Sequence, residues 1–185
     1  VRSGPTHPVA RMPYPAPLRM APPPVITNYT YDSRAAAAQH HMGRTYRYVN
    51  LTTQRPLWPF GYGMSFTTWE YSGLVAPRSV GTCETTHVNV TVTNTGQSNG
   101  SEVAQLYVTN TEAKYPGQPR GALAGVERVD LPAGGSVAVT FALPPLARAE
   151  VRDEDFERWV LPTSLILWVG GGQPQQLPQH TTANT

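Results

Sequence analysis

From about position 66 onward, apolar residues recur at every second position, and that period excludes most ways of folding the segment. Val88, Val90 and Val92 alternate with Asn89, Thr91 and Thr93. Successive side chains of a strand point to opposite faces, so this run buries one face and wets the other. Ala104, Leu106 and Val108 alternate with Gln105, Tyr107 and Thr109, and a third run spans Leu123 to Leu131, with Val126 and Arg128 set against Glu127 and Val129. Val137, Val139, Phe141 and Leu143 form the cleanest alternation, and Leu165, Leu167 and Val169 the last. Turn formers separate these runs: Asn94-Thr-Gly96, Ser98-Asn-Gly100, Pro132-Ala-Gly-Gly135 and Gly170-Gly-Gly172. Pro144-Pro145 stops the fourth run, since proline cannot donate to a ladder.

With Phe66 to Tyr71 and the stretch near Phe156 to Val160, the pattern predicts about seven short strands. The expected fold is all-β, an antiparallel β-sandwich of immunoglobulin or fibronectin type III style over residues 66–172. No helical period interrupts it, which disfavours a parallel α/β sheet. Residues 1–65 read differently. Eight prolines fall in the first 25 residues, fixing φ and removing donors, so this stretch is expected to be extended and mostly irregular. Arg34 to His41 is a short helical candidate around Ala35 to Ala38, about two turns long and without an apolar face. The polar residues 173–185 read as a flexible tail.

Composition excludes several classes of function. The 185 residues carry 14 basic and 12 acidic groups, a net charge of +2, which gives no electrostatic case for nucleic acid. No apolar run approaches the roughly 20 residues of a membrane span. Cys83 is the single cysteine, so neither an internal disulfide nor a thiolate metal site can form. Asn28-Tyr-Thr30, Asn50-Leu-Thr52, Asn89-Val-Thr91 and Asn99-Gly-Ser101 fit the glycosylation acceptor pattern, where chance supplies about one. They point to a secreted protein. The chain shows no apolar leader and no initiator Met, so it is expected to be the tail of a longer protein.

Glu150, Asp153, Glu154, Asp155 and Glu157 form the one acidic cluster, but successive residues of a hairpin point to alternate faces. They do not build the facing pair that glycoside chemistry requires, and Arg148, Arg152 and Arg158 offset their field, so a solvated turn is expected. A weak calcium site is the alternative there. His40 and His41 would point about 100° apart on a helix, a poor arrangement for one metal ion. His7, His87 and His180 are isolated. Gly61-Tyr-Gly63 begins like a dinucleotide loop, but Phe66 occupies the third glycine position. Ser65 lacks the flanking glycines of a nucleophile elbow. Trp58, Phe60, Tyr62, Phe66, Trp69 and Tyr71 would stack on sugars or, as clusters of this kind more often do, seal a seam between domains. No residue is assigned a catalytic, cofactor-binding or metal role, and no cofactor is implied.

Gly43-Arg-Thr-Tyr-Arg-Tyr48 followed by Pro56-Leu-Trp-Pro-Phe-Gly-Tyr-Gly-Met-Ser-Phe-Thr-Thr-Trp69 resembles a signature of glycoside hydrolase family 3. There a GRTYR stretch and a PFGYGLSYTTF stretch lead into a fibronectin type III-like domain. Glu102-Val-Ala-Gln-Leu-Tyr-Val108 resembles its EVVQLYV strand, and Leu123-Ala-Gly-Val-Glu-Arg-Val129 its LKGFERV strand, with Val126 replacing the usual Phe. Val151-Arg-Asp-Glu-Asp155 and Arg158-Trp-Val-Leu161 resemble VVDEDG and RWVL, with Phe156 replacing the turn glycine. Thr163-Ser-Leu165 stands where the family often has GEY.

The resemblance implies that residues 1–65 are the end of an upstream α/β sandwich domain and its linker. It also implies a secreted parent of β-glucosidase or β-xylosidase/α-arabinofuranosidase type whose catalytic carboxylates lie upstream. The expected partners are those upstream catalytic domains and cell-wall polysaccharide or oligosaccharide. The alternative from another class is a free-standing extracellular carbohydrate-binding or adhesion module.

Overall fold

The computed structural model describes residues 16–17, 46–47, 56–112, 118–119, 121–151, 157–174 and 181–184. Within the proline-rich leader, β1 (Ala16–Pro17) pairs antiparallel with β2 (Pro56–Trp58). The helical candidate at Arg34 to His41, the sequons at Asn28 and Asn50, and Asp153 to Asp155 lie outside the described residues.

The sandwich starts at β3 (Trp69–Val75) and continues through β4 (Thr86–Asn94), β5 (Gly100–Asn110), β6 (Ala122–Leu131) and β7 (Ser136–Leu143). A 3-10 turn at Pro145–Arg148 leads to the ribbon of β8 (Glu150–Val151) and β9 (Arg158–Trp159). The last strands are β10 (Leu165–Gly170) and β11 (Thr181–Asn184). The described strands make a three-stranded sheet ordered β3-β4-β7 and a four-stranded sheet ordered β11-β10-β5-β6, with every pairing antiparallel. The chain changes sheet between β4 and β5, returns between β6 and β7, and changes again before β10. Those crossings let each sheet close the other's apolar face, as in fibronectin type III sandwiches.

The period-two runs supply the core. Val88, Val90 and Val92 of β4 face Ala104, Leu106 and Val108 of β5, joined by Val139, Phe141 and Leu143 of β7 and Leu167 and Val169 of β10. Val137 continues the β7 face but stays exposed at the strand's beginning. Trp69 and Tyr71 complete the core from β3, and the Tyr71 hydroxyl donates to Glu102 Oε1 at 2.8 Å. That bond ties the two sheets through the interior and satisfies a buried carboxylate that would otherwise be costly. At one end of the sandwich, fully buried Asn94 holds three segments. Its Nδ2 donates to Ser98 O at 2.8 Å and Leu131 O at 3.3 Å, while its Oδ1 accepts from Gly96 N and Thr67 Oγ1.

Two strand assignments and one charge assignment differ from the sequence expectation. The stretch near Phe156 to Val160 contributes β9, which belongs to the β8–β9 ribbon and to neither sheet of the sandwich. The seventh sandwich strand is instead β11, from the stretch expected to be a flexible tail, and it pairs with β10 from Val169↔Thr181 to Ile166↔Asn184. The outer edge of β10 offers unpaired backbone groups, and Thr-Thr-Ala-Asn can satisfy them without any apolar period. Arg148 and Glu150, expected in a solvated turn, are both buried. Arg148 Nη2 donates to the carbonyls of Gly81 and Glu84, and Glu150 accepts from Asn110 Nδ2. Glu157 and Arg158 are exposed, as a solvated turn requires.

Candidate functional site

The four-stranded sheet has a second buried face, which alternation alone does not reveal. All five residues from Ala104 to Val108 are buried, so Gln105 and Tyr107 are covered on the side away from the core. Segments of the leader lie against this outer face. Gln105 Nε2 donates to Gly61 O at 3.2 Å and to Gly171 O at 3.1 Å, while Tyr107 Oη donates to Gln105 Oε1 at 2.6 Å. One amide thereby joins the turn after β2, the central strand β5 and the segment after β10.

Further polar bonds extend the contact across the sheet. Gln173 donates through its backbone N to Phe60 O at 3.0 Å and through Nε2 to Tyr46 O at 3.0 Å. At the other border, Leu123 N donates to Tyr46 Oη at 3.2 Å and Gly121 N to Arg47 O at 3.4 Å. The Tyr46 and Phe60 rings stack at 3.7 Å with planes 7° apart. The Gln105 amide and the Tyr107 hydroxyl are tolerable in burial because these contacts pair them, and each such bond contributes about 1 kcal/mol net. A Tyr107→Phe variant keeps the ring and removes the donor to Gln105 Oε1. It is expected to lose about 1–2 kcal/mol of stability, read as a lower urea midpoint at unchanged slope.

Gly61 is where the leader makes its closest approach. Its φ is +77°, and a β-carbon there would sit 2.9 Å from Gln105 Cδ and closer still to Oε1. Gly61-Tyr-Gly63 thus forms a turn packed against β5. The first glycine lets the turn reach the strand, and the Tyr62–Pro59 backbone bond of 3.1 Å closes that turn.

The six aromatics singled out by sequence do not form one surface. Trp69 and Tyr71 belong to the core, Phe60 stacks on Tyr46, and Tyr62 is half-buried. Trp58 and Phe66 remain 44% and 70% exposed, and Met64 between them is 79% exposed. These three side chains form the apolar exterior of a segment that is pinned to the sandwich from within. Ser65 Oγ accepts from Trp69 Nε1 and Thr67 N, each at 3.3 Å, which is a turn-forming role. His87 is exposed, Cys83 is exposed with a free thiol, and no group of three potential metal ligands occurs among the described residues. Sequence reasoning missed Gln105, Tyr107 and Gln173. The available signal was a Gln-Leu-Tyr strand centre with a large aromatic on its supposedly wet face.

Residues 102–173 match the fibronectin type III-like domain family. The chain is 31% identical over 163 residues to a probable β-glucosidase J of Neosartorya fischeri, covering 85% of this chain and 19% of that protein. It is 41% identical over 120 residues to a xylan 1,4-β-xylosidase of Xylanibacter ruminicola, covering 64% of this chain and 13% of the relative. The crystal structure of a family 3 β-glucosidase from Bifidobacterium adolescentis superposes with a TM-score of 0.65 at 28% identity, over 76% of this chain and 20% of that one. The chain thus spans about a fifth or less of the relatives it matches. Sandwich topology and these matches agree: residues 102–173 form a fibronectin type III-like domain, and the chain is similar to the part of β-glucosidases and β-xylosidases, a glycoside hydrolase family 3 enzyme among them, that it matches.

Proposed function

We propose that this chain is the accessory sandwich of a larger, extracellular family 3 glycosidase, of β-glucosidase or β-xylosidase/α-arabinofuranosidase type, and that it performs no bond cleavage itself. Residues 1–65 then belong to the end of a preceding catalytic-half domain and its linker, with the sandwich following. The observation that carries this reading is the two-sided leader. Its inner side is fastened to β5 by Gly61 and Gln105, while Trp58, Met64 and Phe66 present apolar surface outward. A clamp of that design fixes a linker so that its outer rings can pack on a neighbouring domain, burying area that contributes about 25 cal/mol per Å².

Glu102 and Glu150, the two buried acidic side chains among the described residues, are held by Tyr71 and Asn110, which supports a structural role for both. No helix among the described residues is long and apolar enough to cross a membrane, and the sequons at Asn89 and Asn99 support passage to the exterior.

The purified chain is expected to release no chromophore from aryl β-glucosides or β-xylosides. An antibody to the sandwich should detect a native species several times larger than 20.2 kDa. Turnover that copurifies with the chain through successive columns would overturn the proposal. A native species of the chain's own size would favour the second reading, a free-standing carbohydrate-binding module using the exposed rings of Trp58 and Phe66. Retention on insoluble xylan or cellulose would then be expected, and its absence would count against that reading.

A further inference from the structure

β3 ends at Val75, opposite Asn89, so Thr86 to Val88 of β4 have no β3 partner in the ladder. Beside that stretch lies a cleft of about 560 Å³ whose walls include Val75, Ala76, Pro77, Thr86 and Asn89. Val75 pairs with Asn89 in register and is 61% exposed, so its side chain lies on the same open face of the sheet as that of Asn89.

Asn89 opens the Asn89-Val-Thr91 sequon on the exposed face of β4. Its Oδ1 accepts from Thr140 Oγ1 at 2.7 Å, which fixes the amide while using only its acceptor side. Adding a sugar at Nδ2 preserves that bond. Asn94 differs: it is fully buried and its Nδ2 is spent on two carbonyls. Asn99 is exposed and heads a sequon, but it is not part of the cleft wall.

We infer that Asn89 is an N-glycosylation site and that the cleft is the seat of its first sugars. In the transfer, Asn89 Nδ2 loses one proton and bonds to the anomeric carbon of the oligosaccharide. The sugar–phosphate bond of a lipid-diphosphate-linked donor breaks, and the lipid diphosphate leaves. The attached pyranose lies over the apolar wall of Val75, Ala76 and Pro77. This inference rests on the extracellular reading above, but its test does not.

The chain is expressed behind an added secretion signal in a glycosylating eukaryotic host, which makes the result independent of where the natural protein resides. Peptide mapping after peptide N-glycosidase release in heavy-oxygen water should mark Asn89, and Thr91→Val should abolish that mark while leaving Asn99 unchanged. Hydrogen exchange across 79–87 should be several-fold slower with the glycan than after enzymatic trimming. Val75→Ser should keep occupancy and lose part of that protection. An unmodified Asn89, whatever the state of Asn99, overturns the inference, as does exchange that trimming leaves unchanged. Partition of the natural protein between medium and cells tests the extracellular reading separately.

Discussion

Alanine at Phe141 is expected to lower the unfolding free energy by about 3–5 kcal/mol, a large share of the ~5–15 kcal/mol that holds a typical domain together. Phe141 is 2% exposed, pairs with Val88 in register, and fills the space between the sheets from β7. The backbone of β6 lies directly against its ring: a β-carbon on Gly125 would sit 3.0 Å from Phe141 Cδ1. A sheet that close cannot collapse much further inward, because its ladder to β5 fixes its position. The loss therefore combines the transfer energy of the ring with the cavity it leaves. Urea unfolding followed by far-ultraviolet dichroism should show a sharply reduced midpoint, or a chain already unfolded without denaturant. A loss below about 1 kcal/mol would contradict the core assignment.

Gly61→Ala is expected to cost about 2–4 kcal/mol, against about 1–2 kcal/mol for Gly134→Ala. Both glycines have positive φ, +77° and +73°, so both substitutions carry the same backbone strain. They differ in what the new methyl meets. At Gly134 nothing lies within 4 Å, whereas at Gly61 the methyl falls on the Gln105 amide. Relieving that clash forces Gln105 away from Gly61 O and Gly171 O, leaving buried acceptors without donors. Comparison of the two variants thus isolates the seam from the strain. Release of the leader should also expose the chain near Arg47 to faster trypsin cleavage in Gly61→Ala and not in Gly134→Ala. Equal losses in both variants would mean that the Gly61–Gln105 contact contributes nothing.

Much of the sandwich was legible because a half-buried strand leaves a period-two signature. β4 buries every second residue as its sequence predicts, β7 does so from Val139 onward, and Leu167 and Val169 do the same in β10. β11 was illegible for the opposite reason. It buys its place by backbone pairing to β10, and a ladder bond has no preference for the identity of the side chain. Arg148 and Glu150 misled because their charge suggested solvent, yet carbonyls from residues 81 and 84 take Arg148 Nη2 and the amide of Asn110 serves Glu150.

The sequence alone determined which residues alternate, where the turns fall and, through its motifs, which family the chain resembles. Only the tertiary structure decided that Gln105 and Tyr107 are buried on a second face, that Gly61 must stay bare, and that Trp69 and Trp58 have opposite fates. The physical reason is range. Periodicity reports which side of its own strand a residue occupies, a local property. Whether that side meets water or another segment depends on residues 44 to 127 positions away, as the Gln105–Gly61 and Gln173–Tyr46 bonds show.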